Sequence, residues 1–470
     1  MTHDVSFLDD LGLEGDHSTD DAYRDGHAGD WGTDDEQRVR PDAVVWPAST
    51  ADVSAVLAAA TERGVPVTPF AAASGLEGAA TPVDAGISLD LTRMNDVLAV
   101  REGEFQIDVQ PGVIGTAVDD AVGQYGLFFP PLPSSGALST IGGMIATDAS
   151  GMQTVKYGEV ADWVLELEAV LADGSVITAG SKAAKTSSGY NLKDLLVGSE
   201  GTLGVVTRAT LELAGIPEQI RGGRAIFPTL GDAADAVYDA VRSGVDVAKI
   251  ELIDEISAAM ANDYTGTDLP DRPMVFVEFH ADHDVETEIE FCRTIFEAHD
   301  VAEFEMAATE AEMESVWEAR RDLAYASREW DEDLEPMQSG DVTVPIGSYP
   351  DLVRYAKDLG EEHDLIVPTF GHAGDGNVHY TALVDPDDEA MVERGREVYR
   401  QIVEYAIELG GTATGEHGVG LGKRKYLELE HGEATVETMR RIKRVLDPEG
   451  TLNPGKIFPE TIDGERVAGE

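Results

Sequence analysis

An α+β fold in two halves is what this sequence predicts, and three observations predict it. Short apolar runs with strand character alternate with segments of helical spacing along nearly the whole chain. The run Gly215-Ile216-Pro217 interrupts the pattern and marks a boundary between the halves. The chain of 470 residues, 42% hydrophobic and 26% charged, can bury two or three cores, and it holds no apolar run of membrane-spanning length.

Residues 1–37 are rich in Asp, Glu, Gly and His with little apolar periodicity, and read as a flexible acidic arm. Order begins near Pro41. Ser49-Thr50-Ala51-Asp52 supplies hydroxyl caps for a helix; Val53, Val56, Leu57 and Ala60 recur at helical spacing, and Gly64 ends it. Residues 65–70 read as a strand that runs into the small-residue loop 71–78, and 87–91 and 105–109 read as further strands. After the turn-rich stretch 139–144, strands 164–171 and 175–178 flank Asp173-Gly174, a hairpin signal, and 204–213 is another strand. Beyond residue 222, strands at 225–227, 247–252 and 274–279 alternate with helices over 232–243 and 285–298, the pattern of an antiparallel sheet with helices on it. Residues 365–368 and 377–383 bracket a Gly/His loop, and long helices cover 387–409 and 434–446.

Charge narrows the partners. Lys+Arg is 34 and Asp+Glu is 90, a net −56 that repels nucleic acid and anionic lipid. Only 10 residues are Lys against 24 Arg, and the first is Lys156. Acid excess spread along the whole chain with Lys scarce reads as adaptation to a high-salt cytoplasm, where counter-ions screen self-repulsion; an acidic protein of an ordinary cell is the alternative. The acidic N-terminal stretch lacks the apolar region of a secretory signal, so a cytoplasmic place is expected. The single Cys292 excludes disulfides within the chain, zinc ribbons and any iron–sulfur cluster held by this chain alone.

Three constellations can carry chemistry. The first is the pair of small-residue segments at 71–78 and 139–151, backed by Gly198-Ser199-Glu200-Gly201. Such loops let backbone N–H groups approach a pyrophosphate, although tight turns use the same residues. No G-x-G-x-x-G fingerprint follows a strand and no G-x-x-x-x-G-K-[ST] loop is present, so a dinucleotide between two small lobes is favoured over a nicotinamide or P-loop site. The second runs from Gly371 to His379 and joins Gly415-Glu416-His417-Gly418. His372, His379 and Glu416 can supply two imidazoles and a carboxylate to a divalent metal such as zinc, manganese or iron, leaving His417 as a general base. Loops with hydrogen-bonded surface histidines are the other reading. The third is Arg320 in Trp317-Glu318-Ala319-Arg320-Arg321, able to fork a substrate carboxylate or, alternatively, to pair with Glu on a solvated helix face.

Together these segments resemble the FAD-linked 2-hydroxyacid dehydrogenases of the vanillyl-alcohol-oxidase fold, from about Pro41 to Pro459. The resemblance rests on Pro47-Ala48-Ser49-Thr50, Gly75-Leu76-Glu77-Gly78, Thr140-Ile141-Gly142-Gly143-Met144, Lys156-Tyr157-Gly158, the run Val197 to Gly204, Phe370 to His379, Thr412 to Gly420, and Leu452-Asn453-Pro454-Gly455-Lys456. Within the family, the stretches Val436-Glu437-Thr438-Met439, Leu446-Asp447-Pro448 and Asp341 to Pro345 look most like D-lactate dehydrogenases, with the glycolate oxidase FAD subunit close behind.

The resemblance implies a two-lobed FAD-binding domain over 38–217 and a ferredoxin-like α+β cap with C-terminal helices over 218–459, with 460–470 as a tail. It implies FAD contacts from Ala71, Ala72, Ala73, Ser74, Gly75 and Leu76, and from Ser139, Thr140, Gly142, Gly143, Ala149, Ser150 and Gly151. Tyr157, Gly158, Glu200, Gly201 and Val206 complete that set. The FAD half holds no His or Cys, so the flavin should be non-covalent. Three departures stand out. Relatives carry G-x-G-T where this chain has Ala71 to Ser74, which must keep negative φ or accept strain. Leu132-Pro133-Ser134-Ser135 replaces D-P-G/A-S, and Asp148 replaces a common Asn.

The chemistry implied is oxidation of a D-2-hydroxyacid, with Arg320 on the carboxylate, the metal on the hydroxyl oxygen, His417 taking the proton and flavin N5 the hydride. Ser339 stands where dicarboxylate specialists carry Lys, which favours a small monocarboxylate such as D-lactate. Electrons must then pass to an acceptor protein or a quinone, or through a separate iron–sulfur subunit; a homodimer and a peripheral place at the membrane stay open. Two other classes are a flavin-free metal-dependent hydrolase and a catalytically idle flavoprotein subunit.

The charge reading is checked by circular dichroism: the helical signal should fall as salt is lowered from molar to dilute buffer, and an unchanged spectrum would remove it.

Overall fold

The computed structural model describes residues 3–459, 461–462 and 465–466, and the chain divides into two units. Unit one comprises residues 1–150, 159–216 and 416–470; unit two comprises 151–158 and 217–415.

Unit one is built on two sheets. The strands Ala43–Trp46 and Val67–Phe70 flank Ile87–Asp90, both parallel to it, and Asp16–Ser18 adds an antiparallel edge. The crossover between the first two is the helix Thr50–Arg63. Ser49 caps it by accepting from Asp52 N, and Gly64 closes it at φ +64°, as the sequence leads one to expect. The second sheet is antiparallel throughout, in the order Val97–Arg101, Gln106–Val109, Val205–Glu212, Val164–Val170, Val176–Gly180. Its last two strands are the expected hairpin, with Gly174 at φ +82° in the turn.

Unit two is built on one antiparallel sheet of seven strands, with a two-stranded ribbon, Glu335–Pro336 against Leu383–Val384, beside it. The order of the seven is Glu303–Met306, Gln219–Ile226, Met274–Ala281, Lys249–Ile253, Thr369–Gly371, Asn377–Tyr380, Gly340–Thr343. The helices Leu230–Arg242 and Tyr349–Glu362 pack on each other, flanked by Val285–Glu297 and Glu389–Glu408. The helices Glu255–Thr265 and Glu310–Arg321 form a separate pair whose core includes Trp317, Leu323 and Phe276.

Three boundaries differ from the sequence reading. The stretch expected to be a flexible arm is packed: Phe7 and Leu8 enter the core of the parallel sheet, and His27 Nε2 meets Asp90 Oδ2 at 2.9 Å. Its acidic composition hid the fact that its polar groups find buried partners; Glu14 N and Gly15 N both donate to Asp52. The cap expected over 218–459 ends at 415. The following chain returns to unit one, where Leu452 is fully buried and Val67 N and Asn453 N exchange bonds with Thr451 O and Val67 O. Residues 151–158 go the other way, because Tyr157 and Lys156 bond to His280 and Asp246 of unit two. Of the tail expected over 460–470, residues 460, 463–464 and 467–470 lie outside the described residues.

Candidate cofactor loops and a buried imidazole cluster

The strand Val67–Phe70 delivers its loop from the carboxyl edge of a parallel sheet, where α/β proteins place ligands. Residues 71–76 are half-buried or exposed, and among the described residues none of their N–H groups donates a hydrogen bond. Donors left open on a small-residue loop suit an anion such as a diphosphate. Ser74 Oγ meets Ser139 Oγ at 2.9 Å, so the two loops singled out in the sequence lie side by side. Ala73 has φ +54° and is strained; its carbonyl accepts from Trp31 N at 2.9 Å, and Gly75 O accepts from Gly32 N.

The glycines sort by role. A Cβ on Gly142 would fall 2.6 Å from Pro111 Cβ, and one on Gly201 2.7 Å from Pro69 Cγ, so both serve packing. A Cβ on Gly143 would meet only the Thr140 hydroxyl, at 3.3 Å, which leaves open space above the helix start that Thr140 caps. Leu76 is half-buried, while Ala149 and Val206 belong to the core of the antiparallel sheet. Glu200, expected near the cofactor, has its carboxylate turned to Val419 N and Gly420 N at 2.7 and 2.9 Å; burial raises its pKa. Ser150 Oγ donates to Glu416 Oε2 at 3.2 Å.

Gly151, Tyr157 and Gly158 lie in unit two. There Tyr157 Oη joins His280 Nδ1 at 2.9 Å, His280 Nε2 joins Glu278 Oε1 at 2.8 Å, and Lys249 pairs with the same carboxylate at 2.9 Å. Burial first, then the nearby acids, pushes the Tyr157 phenol up to about 12.

The Gly/His segment forms the turn between Thr369–Gly371 and Asn377–Tyr380. Its glycines are demanded by close packing: a Cβ on Gly374 would lie 2.4 Å from Ile250 Cγ2, and one on Gly376, at φ +86°, 2.1 Å from Val344 O. His372 and His379 are therefore buried, not displayed, and their rings stand perpendicular with centroids 5.1 Å apart. The reading of surface histidines falls with that. His372 Nδ1 meets Glu251 Oε1 at 2.8 Å.

Arg320 is 4% exposed, so the solvated-helix reading falls too. Its Nη2 lies 2.6 Å from Glu251 Oε2, and its guanidinium carbon 5.0 Å from the Phe370 ring centroid. The Nε and Nη2 of Arg320 and Oε2 of Glu251 are buried with no hydrogen-bond partner among the described residues, the 2.6 Å approach being an ion pair.

Asp341, fully buried, accepts from Asn377 Nδ2 at 2.7 Å, Thr414 Oγ1 at 3.0 Å and Gly415 N at 2.8 Å. That clamp fixes the peptide immediately before Glu416. Glu416 and His417 open the last stretch of unit one, with His417 Nε2 3.9 Å from Glu416 Oε1. Within unit two, the two buried imidazoles are donors of the kind a divalent cation takes. Sequence reasoning missed Glu251, whose signal was a lone acid inside the apolar run Ile250-Glu251-Leu252-Ile253.

A family model described as FAD binding domain matches residues 41–180, and one described as FAD linked oxidases, C-terminal domain, matches 216–457. The chain belongs to the FAD-linked oxidases. The flavin-free hydrolase reading is set aside by those matches. The probable mitochondrial D-lactate dehydrogenase of Danio rerio is 36% identical over 97% of this chain and 91% of its own. The glycolate oxidase subunit GlcD of Bacillus subtilis is 37% identical over 91% of each. The solved structure of p-cresol methylhydroxylase with substrate bound superposes with a TM-score of 0.75 over 97% of this chain and 95% of its own; 4-ethylphenol oxidase from Gulosibacter chungangensis gives 0.74 over 94% of each. At 14% and 19% identity these two show the fold alone, the flavoenzyme fold that the sequence resembles.

Two substitutions test this geometry. Ala73→Gly should raise stability by about 1 kcal/mol by relieving the left-handed backbone, partly offset by the freer unfolded chain; a lower denaturation midpoint would contradict the strain. A Cβ at Gly415 would fall 2.2 Å from Asn377 Nδ2 and 2.7 Å from Asp341 Oδ1. Gly415→Ala should therefore cost about 1–3 kcal/mol, read by calorimetry as a lower transition temperature; an unshifted transition would contradict the clamp.

Proposed function

We propose that this protein oxidises a small D-2-hydroxyacid, D-lactate first among them, to the 2-oxoacid. The observation that carries the reading is the buried Arg320 with an unpartnered Nε beside the His372–His379 pair. A buried guanidinium with an open donor suits a planar carboxylate, and imidazoles beside it suit the neighbouring hydroxyl. The relatives named D-lactate dehydrogenase support the same substrate class.

The 71–76 and 139–151 loops would hold FAD without a covalent bond, and it would supply a two-electron acceptor; His372, His379 and Glu416 would hold a divalent cation, which would supply Lewis acidity. Arg320 anchors the carboxylate and fixes which face of the α-carbon is presented. His417 would take the hydroxyl proton, and the electron pair of the α-hydrogen is what a bound flavin would be there to accept, so that two electrons and two protons leave the substrate. Ser339 in place of a second cation favours a monocarboxylate.

A second reading is the FAD subunit of a glycolate oxidase, favoured by the equal likeness to GlcD. Cys292 is the sole cysteine and is buried, so any iron–sulfur relay would sit on another subunit. Otherwise the acceptor is a protein or a quinone. Among the described residues no helix is long and apolar enough to cross a membrane.

An anaerobic absorbance titration in molar salt decides. D-lactate should bleach the flavin at low concentration, with L-lactate, glycolate and D-2-hydroxyglutarate weaker, and His417→Ala should keep its FAD yet lose the bleaching by about 10²-fold or more. Preferential bleaching by glycolate selects the second reading; a flavin that none of these acids bleaches defeats both.

A further inference from the structure

The three main sheets present six edge strands, and a sheet edge left open is a template for another strand. Five of the six are guarded. Asp16–Ser18 is three residues long and carries an acid. Val67–Phe70 contains Pro69, and the 451–453 segment bonds along it. Val97–Arg101 is bulged between Val97 and Ala99 and ends on a cation. Glu303–Met306 carries two acids, and Gly340–Thr343 carries Asp341 and is bridged by Thr412, whose N–H donates to Thr343 O. The sixth, Val176–Gly180, has no charge, no proline and no bulge, and among the described residues nothing is hydrogen-bonded along its outer side.

The pairing of this strand tells which of its groups are open. Leu171 N donates to Ser175 O and Ser181 N to Leu165 O, both at 2.9 Å. Antiparallel pairs alternate, so Ile177 and Ala179 turn their N–H and C=O groups to the neighbouring strand Val164–Val170, while those of Val176, Thr178 and Gly180 face outward. Ile177 and Ala179 also pack into the core, whereas Val176 is 47% exposed and Thr178 is exposed. The sequence around the edge is unusual for this chain. From Gly174 to Lys193 there is no Asp or Glu, although the chain holds 90 of them in 470 residues, and the stretch contains Lys182, Lys185 and Lys193.

We propose that Val176–Gly180 is the contact through which two copies of this chain pair, antiparallel about a two-fold axis at Thr178, so that two five-stranded sheets become one. The inference goes beyond the reaction assigned above and does not depend on it. A chain of net charge −56 repels its own copies, and this edge combines open backbone with a stretch free of acids. The acids next to it on the exposed face, Glu166 and Glu168, stand one strand inward. Across the pair they are three strand spacings apart, roughly 14 Å, well beyond the screening length of about 3 Å in molar salt. Antiparallel pairing also brings the end of the strand from which the lysine-bearing stretch leads off to the exposed Asp173 of the other copy. In this register Thr178 meets Thr178, and Val176 meets Gly180, which has no side chain to crowd it. About six N–H···O bonds form, two for each pair of outward-facing residues. The contact is isologous and uses the edge up, so assembly stops at two.

The test uses the full-length protein in molar potassium chloride, followed by sedimentation velocity at micromolar concentrations. The wild type should sediment as a dimer. Thr178→Pro removes an outward N–H from each copy and spares the ladder to Val164–Val170, which Thr178 N does not serve. Its dimer dissociation constant should rise about 10–100-fold, with an unchanged circular dichroism spectrum. Thr178→Lys sets like charges opposite each other and should weaken the dimer too; it decides if the proline variant does not fold. Cross-linking reads the register. The sole native cysteine, Cys292, is buried, so Thr178→Cys adds an accessible thiol. Two such thiols face each other with Cα atoms about 5.5 Å apart, within disulfide reach. Diamide, taking up the two electrons and two protons released, should link them into a covalent dimer, and Val176→Cys, which faces Gly180, should not link. A wild type that stays monomeric overturns the proposal, as does a dimer that a folded Thr178→Pro or Thr178→Lys leaves unchanged. Species that grow beyond two, or linking at 176 as readily as at 178, overturn it as well.

Discussion

A carboxylate taken wholly out of water has to be surrounded by donors, and unit two meets that requirement twice, at Glu251 and at Asp341. An unpaired buried charge costs several kcal/mol, so each acid dictates what stands beside it. Glu251 draws in Arg320 and His372. Asp341 draws in Asn377, Thr414 and the peptide of Gly415, and its Oδ1 lies 3.7 Å from His379 Nδ1. The two acids come from different strands of one sheet, and between them they fix both histidines, the arginine and the approach to Glu416. The imidazole cluster is thus a consequence of satisfying two carboxylates. The glycines around it follow from the same crowding, since the space beside Gly374 and Gly415 is already filled by Ile250 and by the partners of Asp341.

Much of this was legible in the sequence. The helix Thr50–Arg63 and the 164–180 hairpin are set by local caps and turns, and the break at 215–217 falls where the sheets change. The site was legible as motifs and not as contacts. His372 and Glu251 are 121 positions apart, and no periodicity within a helix or strand links them. Arg320 could have been placed better. Met313, Trp317 and Arg320 recur at i, i+4 and i+7, so the arginine shares the apolar face with Trp317 while Glu318 and Arg321 point elsewhere. Its charged neighbours masked that spacing. The return of residues 416–470 to unit one was illegible for another reason: the bonds between Val67 and the 451–453 segment join strand edges almost 400 residues apart.

The N-terminal segment shows how composition misleads. Its acids suggested a chain without a core, yet Trp31 N donates to the carbonyl of Ala73, the residue held at positive φ. At that position the chain keeps alanine in a conformation that costs roughly 1–2 kcal/mol. Strain of that kind persists only when surrounding structure over-determines it. Bonds from Trp31 and Gly32, with the Ser74–Ser139 contact, are what surrounds it here. The segment expected to be flexible is therefore part of the scaffold of the candidate cofactor loop.

The distribution of cations completes the picture. A net charge of −56 opposes the approach of any anion, including a hydroxyacid and a flavin diphosphate. Few lysines are spent on the surface; Lys423 and Lys456 are buried, the first 3.3 Å from Glu77 and the second bonded to Thr81 O and Asn453 Oδ1. Arg320 is buried as well. In concentrated salt, where the screening length contracts to about 3 Å, the repulsion from exposed acids is largely extinguished. A guanidinium enclosed by protein keeps its attraction, because mobile ions do not reach it. An acidic exterior and a buried guanidinium that attracts anions are then compatible in such a medium, and they conflict most in dilute buffer, where the exterior field reaches furthest.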